Sequence, residues 1–247
     1  MRNRGMAAVA VAVAAVVGMS LVAGCGQRYG APEPYDSLAA VPERLDGARI
    51  VVGDPDAELT VDLYEDPRCP YCEEFEVTGG GPALEEAVLR REARTRYTMA
   101  SFLDDRLGGS GSKKAVNALR AALEANRFAE YHEVLYDNQP EEEDDGFTDA
   151  RLLELARQVD GLRGPAFDSA VRTMKYRAFV TASERAYEAA GGEEAGQGPG
   201  TPTAVINGVP IPEAIGSVYY DPRPFTEVLR LIRKSPEEWQ QYGAYVS

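Results

Sequence analysis

The sequence predicts an α/β fold with a mixed central sheet and an inserted α-helical subdomain, and three observations predict it. Residues 59–64 (Leu-Thr-Val-Asp-Leu-Tyr) read as a strand that runs into Cys69-Pro70-Tyr71-Cys72 and a helix. A second strand follows that helix, and a strand-helix-strand order implies a parallel pair with a crossover. A long helical run then separates this unit from a hairpin centred on Asn207-Gly208 and a closing helix.

Taken from the N-terminus, Arg2 and Arg4 precede 20 uncharged residues, Gly5 to Gly24, rich in Ala and Val. A basic region, an apolar run and small residues before a boundary describe a secretory signal over residues 1–24. Val22-Ala23-Gly24-Cys25 resembles the lipobox of bacterial lipoproteins, which implies cleavage before Cys25 and diacylation of its sulfur. An uncleaved single-span anchor is the alternative, since 20 residues just suffice to cross a bilayer. Either way the two arginines stay inside and the domain faces the extracytoplasmic side. Residues 25–47, with Pro32, Pro34 and Pro42 and little hydrophobic periodicity, read as a flexible tether.

The main domain is expected over residues 48–235. Ile50-Val51-Val52 is a short strand closed by the turn cluster Gly53-Asp54-Pro55-Asp56. The strand at 59–64 and the helix from Pro70 follow; proline suits a first helical turn because its missing N–H would be unpaired there. Gly79-Gly80-Gly81-Pro82 breaks this helix before a second piece over 83–94, and residues 95–102 form the next strand. The helical insertion spans about 112–190, with helices at 114–125, 128–136, around Leu152-Leu153, and 171–190. After a glycine-rich return come Thr201-Pro202-Thr203, a hairpin over 204–211 and a helix over 224–234. Pro210 places the hairpin's second strand at an edge. Residues 236–247 read as a C-terminal tail, with Trp239 packing back onto the domain. Strand-helix-strand, then hairpin and helix, around one sheet is the thioredoxin topology.

The net charge of −14 argues against nucleic acid or anionic lipid as the main partner. Of three cysteines, lipidation takes Cys25, which leaves Cys69 and Cys72 in an oxidising setting. A disulfide between residues so close restricts the unfolded chain very little. The pair is a poor staple and a good redox couple. Placed at a helix N-terminus, where unpaired N–H groups favour a thiolate, Cys69 reads as the nucleophile and Cys72 as its resolving partner. The acids Glu73, Glu74 and Glu76 oppose the helix dipole and raise the cost of that thiolate.

Asp66-Pro67-Arg68-Cys69-Pro70-Tyr71-Cys72, with Gly200-Thr201-Pro202-Thr203 and Ile206-Asn207-Gly208 behind a helical insertion, resembles the DsbA-like branch of the thioredoxin fold, in particular extracytoplasmic lipoprotein members of actinobacterial type. The resemblance covers about residues 48–235. It implies Cys69 as attacking thiolate, Cys72 as resolving thiol, Pro70-Tyr71 as the redox-tuning dipeptide, and Pro202 as a cis proline facing them. Thr201 would offer its backbone to an extended substrate. The implied activity is thiol-disulfide exchange with exported proteins as an oxidant, with no cofactor beyond the Cys69–Cys72 disulfide and a quinone-linked membrane partner to reoxidise it. The chain departs from the pattern at Leu63, where many relatives carry a buried carboxylate. Asp62 and Glu65 flank it, and proton delivery to Cys72 stays unassigned.

Other readings compete. A reductase or isomerase uses the same residues in reverse, and a non-catalytic lipoprotein would keep a vestigial disulfide. Pro70-Tyr71 also occurs in glutaredoxins, but export and the insertion weigh against a cytosolic enzyme. No metal site is expected: structural zinc usually takes four ligands, and the chain offers one histidine, His132, and no further free cysteine. His132 reads as part of the insertion's core. Glu141-Glu142-Glu143-Asp144-Asp145 lacks the alternation of a calcium loop and reads as a solvated linker.

Overall fold

The strand β3 (Leu59–Glu65) is buried along nearly its whole length, which explains its apolar and β-branched composition: it lies at the inside of the sheet, covered on both faces. The computed structural model describes residues 33–191 and 197–246; the signal region, Cys25 and the first part of the tether lie outside the described residues. Flanking β3 in sequence are β1 (Glu43–Asp46), β2 (Arg49–Gly53) and β4 (Ala93–Met99), and later β5 (Thr203–Ile206) and β6 (Val209–Pro210). The six strands run in the order β1-β2-β4-β3-β5-β6. Among the described residues only β3 and β4 pair in parallel, Leu59 opposite Ala93 through Glu65 opposite Met99, and the other pairings are antiparallel. The mixed sheet and the edge position of Pro210 are as the sequence predicts.

Between β3 and β4 the chain makes α1 (Pro70–Val77) and α2 (Gly81–Leu89). The break is set by Gly79, where a side chain would collide with the Tyr219 carbonyl oxygen, and by the Gly80 N–H, which donates to that same oxygen at 2.8 Å. The expected helix over 83–94 stops early. Arg91 takes a positive φ of 63° and the Glu92 N–H returns to the Ala87 carbonyl at 2.8 Å, so Ala93 and Arg94 belong to β4.

The insertion comprises α3 (Phe102–Leu107), α4 (Gly111–Leu123), α5 (Phe128–Tyr136), α6 (Asp149–Leu155), α7 (Pro165–Thr173) and α8 (Arg177–Ala190). At its centre α4 buries Ala115, Ala118, Ala121 and Ala122, small residues that let its neighbours approach closely. The single helix expected over 171–190 is two. Met174 is left-handed at φ 50°, and buried Asn117 holds the break by donating to the Ala170 carbonyl (3.1 Å) and accepting from the Tyr176 N–H (2.9 Å). Ser183 on α8 accepts from the Met99 N–H of β4 at 3.0 Å, and one continuous apolar core fills the space between sheet and insertion.

Both predicted domain ends move outward. The tether expected to residue 47 is shorter, because Glu43–Asp46 is the edge strand β1 and Val41 is buried. Its sequence, Glu-Arg-Leu-Asp, carries no apolar alternation; backbone pairing and the Glu43 carboxylate, which accepts from the N–H groups of Phe128 and Ala129 at the start of α5, hold it. After α9 (Pro222–Lys234), the expected tail is the helix α10 (Pro236–Val246), and Trp239 Nε1 donates to the Ile206 carbonyl at 2.8 Å. Asn207 and Gly208 take the positive φ angles (50° and 84°) that their turn requires.

Candidate active site

The cysteine loop is held before any sulfur chemistry is considered. Asp66, fully buried, accepts from the Arg68 N–H (3.0 Å), the Ser112 hydroxyl (2.6 Å) and the Leu103 N–H (3.1 Å), tying the loop to α3 and α4. Arg68 is also buried: its guanidinium donates to Asp104 Oδ1 (3.0 Å) and to the carbonyls of Gly108 and Glu142 (2.9 Å each). Asp104 in turn accepts from the N–H groups of Ser112 and Lys113 at the start of α4 (2.9 Å each). Gln139 Nε2 donates to the Pro67 and Cys69 carbonyls at 2.8 and 3.1 Å. The insertion therefore grips Asp66, Pro67 and Arg68 ahead of Cys69, and the Cys69 carbonyl itself. Part of the acidic run read as a solvated linker is engaged here, through the Glu142 carbonyl and through Asp145, which accepts from the N–H groups of Ser110 and Gly111.

Cys69 is the N-cap of α1, with Pro70 opening the helix. Its thiol donates to the Thr201 carbonyl at 3.4 Å, and the Thr201–Pro202 bond is cis, as the resemblance implies. The structure thus brings together Cys69, Cys72, Pro70, Tyr71, Thr201 and Pro202. Both cysteines carry free thiols; Cys69 is 5% exposed and Cys72 not at all. Tyr71 is 59% exposed beside Tyr220, their ring centroids 6.3 Å apart, and gives the mouth an aromatic lip.

The two sulfurs differ sharply. The Cys72 thiol hydrogen-bonds the Cys69 sulfur and is the largest cause drawing the Cys69 pKa down to about 6; the Thr201 side chain and the N–H groups of Cys72 and Tyr71 add to it against the opposing effect of burial. Burial pushes Cys72 well above the ordinary thiol value, helped by its bond to Cys69 and by the charges of Cys69 and Glu65. The helix acids Glu73, Glu74 and Glu76 were expected to make Cys69 a weaker acid. Glu76 instead turns inward, where burial and the neighbouring Glu65 raise its pKa well above the usual carboxylate value.

The missing carboxylate is Glu65. Asp62 pairs with Arg49 and Arg96, whereas Glu65 is fully buried and its Oε2 lies 2.9 Å from His132 Nε2. Burial raises Glu65 to about 8, and the charge of Cys69 adds to that. The signal was available: in a strand, Leu63 and Glu65 share a face, so an acid two residues on can occupy the side where Leu63 stands. Arg68 left no such signal, because its partners are distant in sequence.

A thioredoxin family model matches residues 46–220. The chain belongs to the thioredoxin family. Among solved members of this fold, it resembles BdbD from Bacillus subtilis in the oxidised form, with 20% identity over 76% of this chain and 94% of that one and a TM-score of 0.60. It resembles the reduced disulfide oxidoreductase DsbG of Mycobacterium tuberculosis with 28% identity over 67% and 80% of the two chains and a TM-score of 0.53. A curated relative, the serine/threonine-protein kinase PknE of Mycobacterium tuberculosis, is 30% identical over 141 residues, 54% of this chain. The match spans only a quarter (25%) of the kinase's length. Within the thioredoxin family, the chain also shares its fold with DsbA of Mycobacterium tuberculosis in the oxidised form, at 24% identity over 76% of this chain and 99% of that one and a TM-score of 0.54.

Proposed function

We propose that this protein is a lipid-anchored, extracytoplasmic enzyme whose Cys69-Pro70-Tyr71-Cys72 disulfide oxidises the thiols of exported proteins. A client thiolate attacks Cys69 of the disulfide; the new bond is client sulfur to Cys69, and the bond that breaks releases Cys72 as a thiolate, which takes up a proton. A second client thiolate then attacks the client sulfur of the mixed disulfide. The client leaves oxidised and Cys69 departs as a thiolate. Two electrons have passed to the Cys pair, and a membrane redox partner of the quinone-linked class takes them back. The client approaches as an extended segment beside Thr201 and Pro202, whose backbone edge supports strand addition. Cys25 carries the lipid and keeps the domain at the membrane surface.

The oxidising direction is supported by the place of Cys69 at the start of α1, with the buried Cys72 thiol and helix N–H groups directed at its sulfur, which draws its pKa down to about 6 from an ordinary 9.0. A good leaving group speeds client release, and a stabilised thiolate favours the reduced enzyme, which makes the disulfide a stronger oxidant. The test is the reduction potential of the Cys69/Cys72 couple. The proposal expects a value toward the oxidising end, around −120 mV; one near −270 mV would make the protein a reductase. Mass spectrometry of the cell-derived chain tests the anchor, the expected product beginning at a diacylated Cys25.

A further inference from the structure

One side of the mouth at Cys69 is built from two elements and presents aromatic and acidic groups to solvent. Tyr71 lies between Pro70 and Cys72 on α1, and its N–H is among those directed at the Cys69 sulfur. Tyr220 ends the segment Glu213–Tyr220, which Tyr219 fastens from within. The Tyr219 carbonyl accepts from the Gly80 N–H and its hydroxyl from the Ala204 N–H of β5 (2.8 Å each), and its ring meets Phe75 and Phe225. With Tyr219 held inward, Tyr220 is turned out, 38% exposed, its ring tilted 55° to that of Tyr71.

The charges that act on this pair are negative. Glu74, exposed, stands three residues after Tyr71 and so on the same face of α1. Burial, and then the charges of Glu74 and Cys69, raise the Tyr220 hydroxyl above the ordinary phenol value, so the ring lies within electrostatic reach of both the acid and the reacting sulfur. Glu73 is raised by burial and then by Glu141, which brings the acidic run at 141–145 to α1 as well. The nearest cation along the chain from Tyr220, Arg223, is 92% exposed and sits by Asp221 at 3.9 Å. An apolar client side chain seated here would desolvate Glu74 and give it no partner. A lysine or arginine meets every group. The rings, with centroids 6.3 Å apart, leave room for a cation within about 6 Å of both, its stem lies along them, and its charge faces the carboxylate.

We infer that Tyr71, Tyr220 and Glu74 form a subsite for a basic side chain next to the client's cysteine, so that the preferred clients carry Lys or Arg beside the reacting thiol. The inference rests on the exchange reading proposed above and deepens it. The bonds made and broken are unchanged: the client thiolate attacks Cys69 and Cys72 departs. What the subsite adds is placement, since a client held on the rings and along the Thr201 backbone presents its sulfur to Cys69. The net charge of −14 draws such clients from a distance. Tyr219 is a positioning residue that keeps Tyr220 against Tyr71.

The test compares short peptides whose single cysteine is flanked, on each side in turn, by Lys, Leu or Glu. Acid quench and alkylation give the rate at which each opens the Cys69–Cys72 disulfide of the full chain. Dividing by the same peptide's rate with hydroxyethyl disulfide, an uncharged reference, removes the effect of its charge on its own thiol. On at least one flank Lys should exceed Leu about five- to tenfold, with Glu slowest. Raising salt from about 0.05 to about 0.5 M should shrink the advantage. Tyr220→Leu should bring the Lys and Leu peptides within about twofold, whereas Tyr220→Phe, which keeps the ring, should retain most of the preference. Glu74→Gln should remove its salt-sensitive part. Leu equal to or faster than Lys on both flanks would overturn the subsite, as would a Lys preference that Tyr220→Leu leaves intact. Failure of the unaltered protein to react with any of the peptides would defeat the exchange reading itself.

Discussion

Two sulfurs one helical turn apart are driven to opposite acidities by where they sit, Cys69 at an amide-rich helix start and Cys72 in a sealed interior. The sign of the resulting pH dependence follows. Cys69 ionises near 6 when folded and near 9.0 otherwise, so its thiolate stabilises the reduced fold fully above 9 and loses that contribution as pH falls through 6. Iodoacetamide should therefore label Cys69 with a midpoint near pH 6 while Cys72 stays unlabelled; a midpoint near 9.0 would contradict the assignment. Glu65 runs the other way. It keeps its proton to about 8 in the fold but only to 4.5 in the unfolded chain, so it costs stability increasingly as pH rises between those values. Glu65→Gln should match wild type near pH 4 and become the more stable protein toward pH 8, the difference growing by up to about 1.4 kcal/mol per pH unit in urea melts. A constant difference would show that Glu65 is ionised in the fold.

At the level of elements, the join between β3 and α1 was legible because every signal for it is local: apolar strand residues, Pro70 at a helix start, and a cysteine pair one turn apart. The hairpin was legible for the same reason, through Asn207-Gly208. What was not legible depends on partners far along the chain. Nothing in Met174 itself announces a left-handed break; Asn117, 59 residues from Tyr176, holds it. Arg68 is the sharpest case. It sits beside Cys69 in sequence, yet its work is to join the cysteine loop to Asp104, Gly108 and Glu142. Arg68→Met should destabilise the protein by about 3 kcal/mol in chemical denaturation, since it strands the buried Asp104 carboxylate and two carbonyls. A loss within about 0.5 kcal/mol would mean these groups find other partners.

Over the whole molecule, sheet and insertion share one apolar core, so the helical segment is a structural partner of the cysteine loop and not an appended module. That sharing explains why composition and motif order sufficed for the fold class while the inward turn of Glu65 did not emerge. Whether an acid faces the core is decided by His132 and Tyr136 arriving from α5, about 67 residues away in the case of His132. It also explains why the domain reaches beyond its expected ends, since β1 and α10 are held by Phe128 and Ile206 and not by periodicity of their own. The claim beneath all of this is that Cys69 forms covalent bonds with client sulfurs and that Cys72 resolves them. Cys72→Ala removes the resolving sulfur and leaves the attacking one. Expressed in cells, that variant should accumulate reducible adducts with exported proteins, each joined through Cys69; a chain that remains free of adducts while Cys69 stays intact would contradict it.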